Sequence, residues 1–193
     1  MQGKRQLQKE ATRENIIKTA MRLYAANGFS TPTNTIAQEA GISHGAIFVH
    51  FPTREVLRLH VLERFAQEAG EKLHNLSAAE GSVPELLYAH IGVLEEYESF
   101  YKELISETPS LPEEAKNTLI VLQTVLSRHF SIAIVRGKQA GTIKDVPLHM
   151  LFNTWIGLVH YYLQNSELFA PGGSVLKRCK DELVSNFIAL ILK

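Results

Sequence analysis

Thr33-Asn34-Thr35-Ile36-Ala37-Gln38-Glu39-Ala40-Gly41-Ile42-Ser43-His44-Gly45-Ala46-Ile47-Phe48-Val49-His50 is the stretch that decides how this chain is read. Ala37, Gly41 and Ile47 are spaced by four and six residues, with apolar Ile36, Ala40 and Ile42 around them. The pattern predicts two short helices, about 33–40 and 43–50, joined by a tight turn. Helices that cross so closely need a small side chain at the contact, which is Ala37. The turn needs a left-handed backbone, which Gly41 supplies. Ile47 plugs the crossing from the second helix. Ser43 caps that helix and leaves His44, Gly45 and Ala46 free of core duty, at the positions that enter a major groove in a helix-turn-helix. A helical hairpin inside an ordinary bundle would fit the same apolar spacing, so the flanks have to decide.

Upstream, a helix is expected over about 12–27, capped by Thr12, with Glu14 at its positive end and Gly28 as the stop. Ile16, Ala20 and Leu23 share its inner face. Residues 1–11 are polar and basic and read as a flexible arm carrying Lys4 and Arg5. Downstream, His50-Phe51-Pro52-Thr53-Arg54 opens another helix, about 53–76, whose first backbone N–H groups suit a phosphate. Residues 1–64 hold nine basic and five acidic side chains, although the whole chain balances 20 of each. A basic end on an acidic body suits a polyanionic partner.

Residues 12–65 resemble the DNA-binding domain of the TetR/AcrR family of bacterial transcriptional regulators. The matching positions are Thr12-Arg13-Glu14, Ile16-Ile17, Ala20, Leu23-Tyr24, Gly28-Phe29, Ile36-Ala37, Ala40-Gly41-Ile42-Ser43, Gly45, Phe48, His50-Phe51 and Arg54-Glu55-Val56-Leu57. The resemblance implies that Thr33 and Asn34 sit over the DNA backbone. It implies that His44, Gly45 and Ala46 face the bases and that His50, Thr53 and Arg54 contact phosphates, with Ser43 and Phe48 also among the DNA-binding residues. Phe48 stands where the family usually has Tyr, so a hydroxyl contact is absent. Arg54 replaces the usual Lys and adds a bidentate fork.

The remaining two thirds, 77–193, read as a helical bundle for ligand binding and dimerisation, giving an all-α chain. Ser82-Val83-Pro84-Glu85 and Ser110-Leu111-Pro112-Glu113 both have the capping-box form. They predict helices over about 83–107 and 111–138. Two more are expected over about 148–166 and 174–192, separated by Pro171-Gly172-Gly173. Both are widely apolar, which predicts a homodimer through this pair. Polar groups set among apolar ones mark candidate contacts for a small apolar or aromatic effector: His90, Tyr97, Glu98, Gln123, His129, Trp155 and His160. For each of them a hydrogen-bonded core or surface role is the plainer reading.

Enzyme chemistry lacks a frame. The eight histidines form no His-x3-His pair, and there is neither a nucleophile elbow nor a phosphate-binding glycine loop. No metal or cofactor is expected. Cys179 is the sole cysteine. Without a signal-like start or an uninterrupted apolar run of about 18 residues, a cytoplasmic protein away from membranes is expected. The expected function is repression at a palindromic double-stranded DNA operator, relieved by a small-molecule effector. The alternatives are a helical carrier that has lost DNA binding, and a DNA-binding assembly protein without an inducer.

Overall fold

The computed structural model describes residues 2–76 and 81–193. The expected domain start at 77 lies outside the described residues. The described residues form ten α-helices: α1 Gln2–Asn27, α2 Thr33–Glu39, α3 His44–His50, α4 Arg54–Leu76, α5 Val83–Glu96, α6 Glu98–Glu107, α7 Glu113–Gln139, α8 Leu148–Gln164, α9 Ser166–Phe169 and α10 Val175–Ile191. Among the described residues no strand forms, and a single bridge joins Ile143 to Leu192.

The chain divides into two compact units, residues 1–65 with 99–118, and residues 66–98 with 119–193. Residues 99–118, which the sequence reading placed in the C-terminal domain, thus belong with the first unit. Its core is Ile16, Ala20, Tyr24, Phe29, Ile36, Ile47, Phe51, Leu57 and Phe65. Phe100 from α6 completes it, with its ring centroid 5.4 Å from that of Phe29 and 5.1 Å from that of Phe65.

Residues 2–11 are helical rather than an arm. Nothing in Gln6-Leu7-Gln8-Lys9-Glu10-Ala11 breaks a helix, and Gln6 bonds Glu10 one turn on. Thr12 is therefore interior to α1, where its hydroxyl donates back to the Gln8 carbonyl at 2.9 Å instead of capping. Gly28, at φ +77°, ends the helix as expected.

In the second unit α10 packs on α5 and α8. The capping box at Ser82 is complete: its hydroxyl accepts from Glu85 N–H, while the Glu85 carboxylate accepts from Ser82 N–H at 2.7 Å. That bond holds the Glu85 carboxyl below its ordinary range. The helix expected over 83–107 breaks at Tyr97 (φ −114°, ψ 18°) into α5 and α6. The second expected box is out of register, because Ser110 closes a 3₁₀ turn and α7 starts at Glu113.

The apolar stripe of α10 proves to be core. Val175, Leu176, Cys179, Leu183, Val184, Phe187 and Ile191 are buried within this one chain. Cys179 is thus a small core side chain, its thiol pushed up chiefly by burial. Within α7, residues 116–139 are long and apolar enough to cross a membrane by length and composition, with a mean hydropathy of 1.5 in the relevant window. The same helix buries Leu119, Leu126, Phe130 and Ile134 against its unit, while Ile120, Val121, Ile132 and Val135 stay exposed. A core helix with one uncovered apolar side meets both descriptions.

Candidate nucleic-acid interface

The turn between α2 and α3 is built as a Schellman motif. Ile42 N–H donates to Ala37 O at 3.0 Å and Gly41 N–H to Gln38 O at 3.1 Å, with Gly41 at φ +69°. Ile36, Ala37 and Ile47 are fully or almost fully buried at the crossing. Two side chains of α1 fix α2: Asn15 Nδ2 donates to Ala40 O at 2.9 Å, and Arg22 pairs with Glu39 at 2.7 Å. Glu14 is bound by Arg64 of α4, and that hydrogen bond holds its carboxyl below the ordinary range. The two short helices are therefore held from both sides.

Their outer face carries the residues singled out from the sequence. Ser43, His44 and Gly45 are exposed at the start of α3, and Ala46 is half-buried. Ser43 makes no side-chain cap bond, which corrects the expected cap; its backbone carbonyl accepts from Ala46 N–H at 2.9 Å instead. Thr33 Oγ1 meets His44 Nε2 at 2.9 Å, so the first residues of α2 and α3 are tied together. The His44 ring stands edge-on to Phe48, with centroids 5.2 Å apart. Asn34 Oδ1 accepts from Thr35 N–H at 2.9 Å. Sequence reasoning missed Val49, which is 72% exposed one helical turn after Gly45. The i, i+4 spacing from Gly45 was the available signal.

The residues expected near phosphates separate into two groups. Thr53 is exposed at the start of α4, and its hydroxyl accepts from Val56 N–H at 3.2 Å. Arg54 points inward. Its Nη2 donates to Phe29 O at 2.9 Å, and its Nε is buried without a hydrogen-bond partner. His50 is half-buried, with Nδ1 likewise unpartnered. Desolvation lowers its pKa, helped by Lys9 and Arg13 of α1. Arg13 lies over the Phe51 ring at 4.9 Å. The helical start of α1 thus adds Lys9, which a loose arm would not have fixed, to Arg13 at the end of α3.

The seven effector candidates do not gather in one place. Trp155 Nε1 donates to His90 Nδ1 at 3.1 Å in the core, and burial drives the His90 pKa down to about 3. Tyr97 donates to Glu68 at 2.9 Å with Lys72 over its ring at 5.0 Å. Glu98 caps α10, accepting from Val175 N–H at 2.8 Å, Leu176 N–H at 3.3 Å and the Ser174 hydroxyl. His129 faces His74 at a ring separation of 5.8 Å. Gln123 and His160 are half-buried, and burial lowers the His160 pKa. A cleft of about 450 Å³ opens elsewhere in this unit, between Val83, Ala133, Gly137, Ile143, Ile188 and Ile191, and none of the seven lines it.

Two crossed helices on a three-helix core, with one helix face left free, define a helix-turn-helix DNA-binding domain. Residues 16–61 match the family model described as bacterial regulatory proteins, tetR family. That match spans α1 to α4 and assigns a tetR-type DNA-binding domain to this part of the chain. It is 37% identical over 91 residues to the uncharacterized HTH-type transcriptional regulator YerO of Bacillus subtilis (strain 168), covering 46% of this chain and 31% of that protein. With YuxN, another uncharacterized HTH-type regulator of the same organism, identity is 33% over 134 residues, covering 65% and 46%. The chain spans less than half the length of these curated relatives. A putative transcriptional regulator from Saccharomonospora viridis, solved in complex with choline, has the same fold: TM-score 0.80, 20% identity, covering 95% of this chain and 99% of that one.

Proposed function

We propose that the protein is a homodimeric, cytoplasmic repressor that binds a palindromic operator through α2 and α3 and is released by a small effector. The observation carrying the DNA half is the free face of α3, flanked by the α1 cations Lys9 and Arg13. A second copy would supply the second α3 that two successive major grooves require. Thr33, Asn34, Ser43 to Ala46, Phe48, His50 and Thr53 make up the DNA face, and Arg54 supports it from within through Phe29.

The effector is apolar or aromatic with one polar handle, the class suited to a second unit whose buried polar pair, His90–Trp155, sits among Phe130 and Phe187. A similarly folded regulator held choline, which supports a small-molecule role for such a unit. Helix α4 runs without interruption from residues of one unit into those of the other and is the lever that passes the signal. A coupling of about 1–3 kcal/mol is enough. No residue is assigned a catalytic role.

The test has two readouts. Binding to genomic fragments should weaken steeply with salt, since phosphate contacts release counterions. Trp155 is the sole tryptophan, so an effector from a panel of hydrophobic compounds should change its fluorescence at the concentration that frees the DNA. A compound that shifts the fluorescence without moving DNA affinity would sink the inducer model. Salt-insensitive binding would sink the DNA model.

A further inference from the structure

The sequence of α3 is His44-Gly45-Ala46-Ile47-Phe48-Val49-His50, with no Arg, Lys, Asn, Gln, Asp or Glu. In a major groove guanine is read by Arg or Lys, adenine by Asn or Gln, and cytosine by Asp or Glu. All three kinds of reader are missing. The polar groups at the front of the helix are the short Ser43 hydroxyl just before it and His44, whose Nε2 already meets Thr33 Oγ1 at 2.9 Å. What the helix presents instead is apolar. Val49 is 72% exposed and Phe48 41% exposed, and Gly45, one turn before Val49, has open space around the position of a Cβ. The His44 edge contact at 5.2 Å buttresses the Phe48 ring. An exposed β-branched side chain on a short surface helix gains nothing for the fold.

We infer that Val49, with Phe48 beside it, reads thymine by its 5-methyl group, the one apolar base substituent in the major groove. The inference rests on the DNA-binding reading above and names what that face recognises. Gly45 keeps the first turn of α3 low, so a base edge can come close to Val49. Operator specificity then lies in methyl contacts and in DNA shape.

The experiment selects binding sites from randomised duplexes with the full-length protein. It then replaces each thymine of the selected site by uracil, which removes only the methyl. One or two positions per half-site should each cost about fourfold in affinity, the weight of one buried methyl. Val49→Ala, at an exposed helical position where folding is not at stake, should bind the thymine site as weakly as wild type binds the uracil site. The variant should be indifferent to the exchange, so the two losses do not add. Enriched sites with no thymine dependence, or full thymine dependence in Val49→Ala, would overturn the methyl reading while DNA binding stands. No enrichment and no salt-sensitive binding would overturn both.

Discussion

At the scale of single residues, the Phe29 backbone is gripped through both its N–H and its carbonyl. Its N–H donates to Glu107 Oε1 at 2.8 Å, and its carbonyl accepts from Arg54 Nη2 at 2.9 Å and Arg58 Nε at 3.1 Å. Four residues later α2 begins, so this clamp sets where the helix-turn-helix starts. Glu107→Ala leaves a part-buried N–H unpaired and should cost about 1–3 kcal/mol in chemical denaturation. Glu107→Gln keeps an acceptor and should recover most of that. His90 makes a pH-dependent contribution. Its folded pKa, about 3, lies below the ordinary histidine value of 6.5. The unfolded chain therefore takes up a proton that the folded chain refuses. Its contribution is complete above about pH 6.5 and is lost as pH falls toward 3, at about 1.4 kcal/mol per pH unit for one proton. His90→Gln keeps an acceptor for Trp155 Nε1 and should flatten the acid side of the Tm profile. An unchanged slope would mean that other histidines carry it.

At the scale of helices, caps explain both what the sequence reveals and what it hides. Ser82, Ser174 and the glycines 28, 41 and 141 act within a few residues of their helix ends, so local chemistry is enough to place them. The break at Tyr97 has no Gly or Pro to announce it. It comes from distant partners: Tyr97 reaches Glu68 of α4, and Glu98 reaches the start of α10, 76 to 78 positions away. For the same reason Glu98 resembled a ligand contact in sequence, since a carboxylate in an apolar helix looks alike whether it serves a ligand or another helix. The bond from Arg54 to the Phe29 carbonyl, 25 positions away, has no signal in the local sequence. The apolar spacing of α2 and α3 was legible because Ala37, Gly41 and Ile47 interact within one short hairpin. Removing the Glu98 carboxylate strands two backbone N–H groups and the Ser174 hydroxyl. Glu98→Ala should cost about 2 kcal/mol or more, and hydrogen exchange should show the first turn of α10 opening. If the exchange there is unchanged, the cap is redundant.

At the scale of the whole molecule, burial within one chain narrows where a second copy can dock. The apolar stripe of α10 is spent on the core, so a dimer through the last two helices must use their other sides. On α8 these are Met150, Thr154, Gly157 and Tyr161, all exposed and spaced by four, three and four residues. On α10 they are Arg178, Glu182, Ser185 and Ala189, exposed at the same spacing. A Cβ at Gly157 would meet open space, so a partner backbone could approach there. The competing face is α7, where Ile120, Val121, Ile132 and Val135 are uncovered. The two faces make opposite predictions. If α8 and α10 form the seam, Tyr161→Glu should halve the mass in sedimentation and leave Val121→Glu dimeric. Binding to a palindromic site should fall with the dimer, because each half-site alone holds only one α3, while affinity for a single half-site stays the same. If Val121→Glu is the variant that dissociates, the seam lies on α7 and the assignment to the last two helices is wrong.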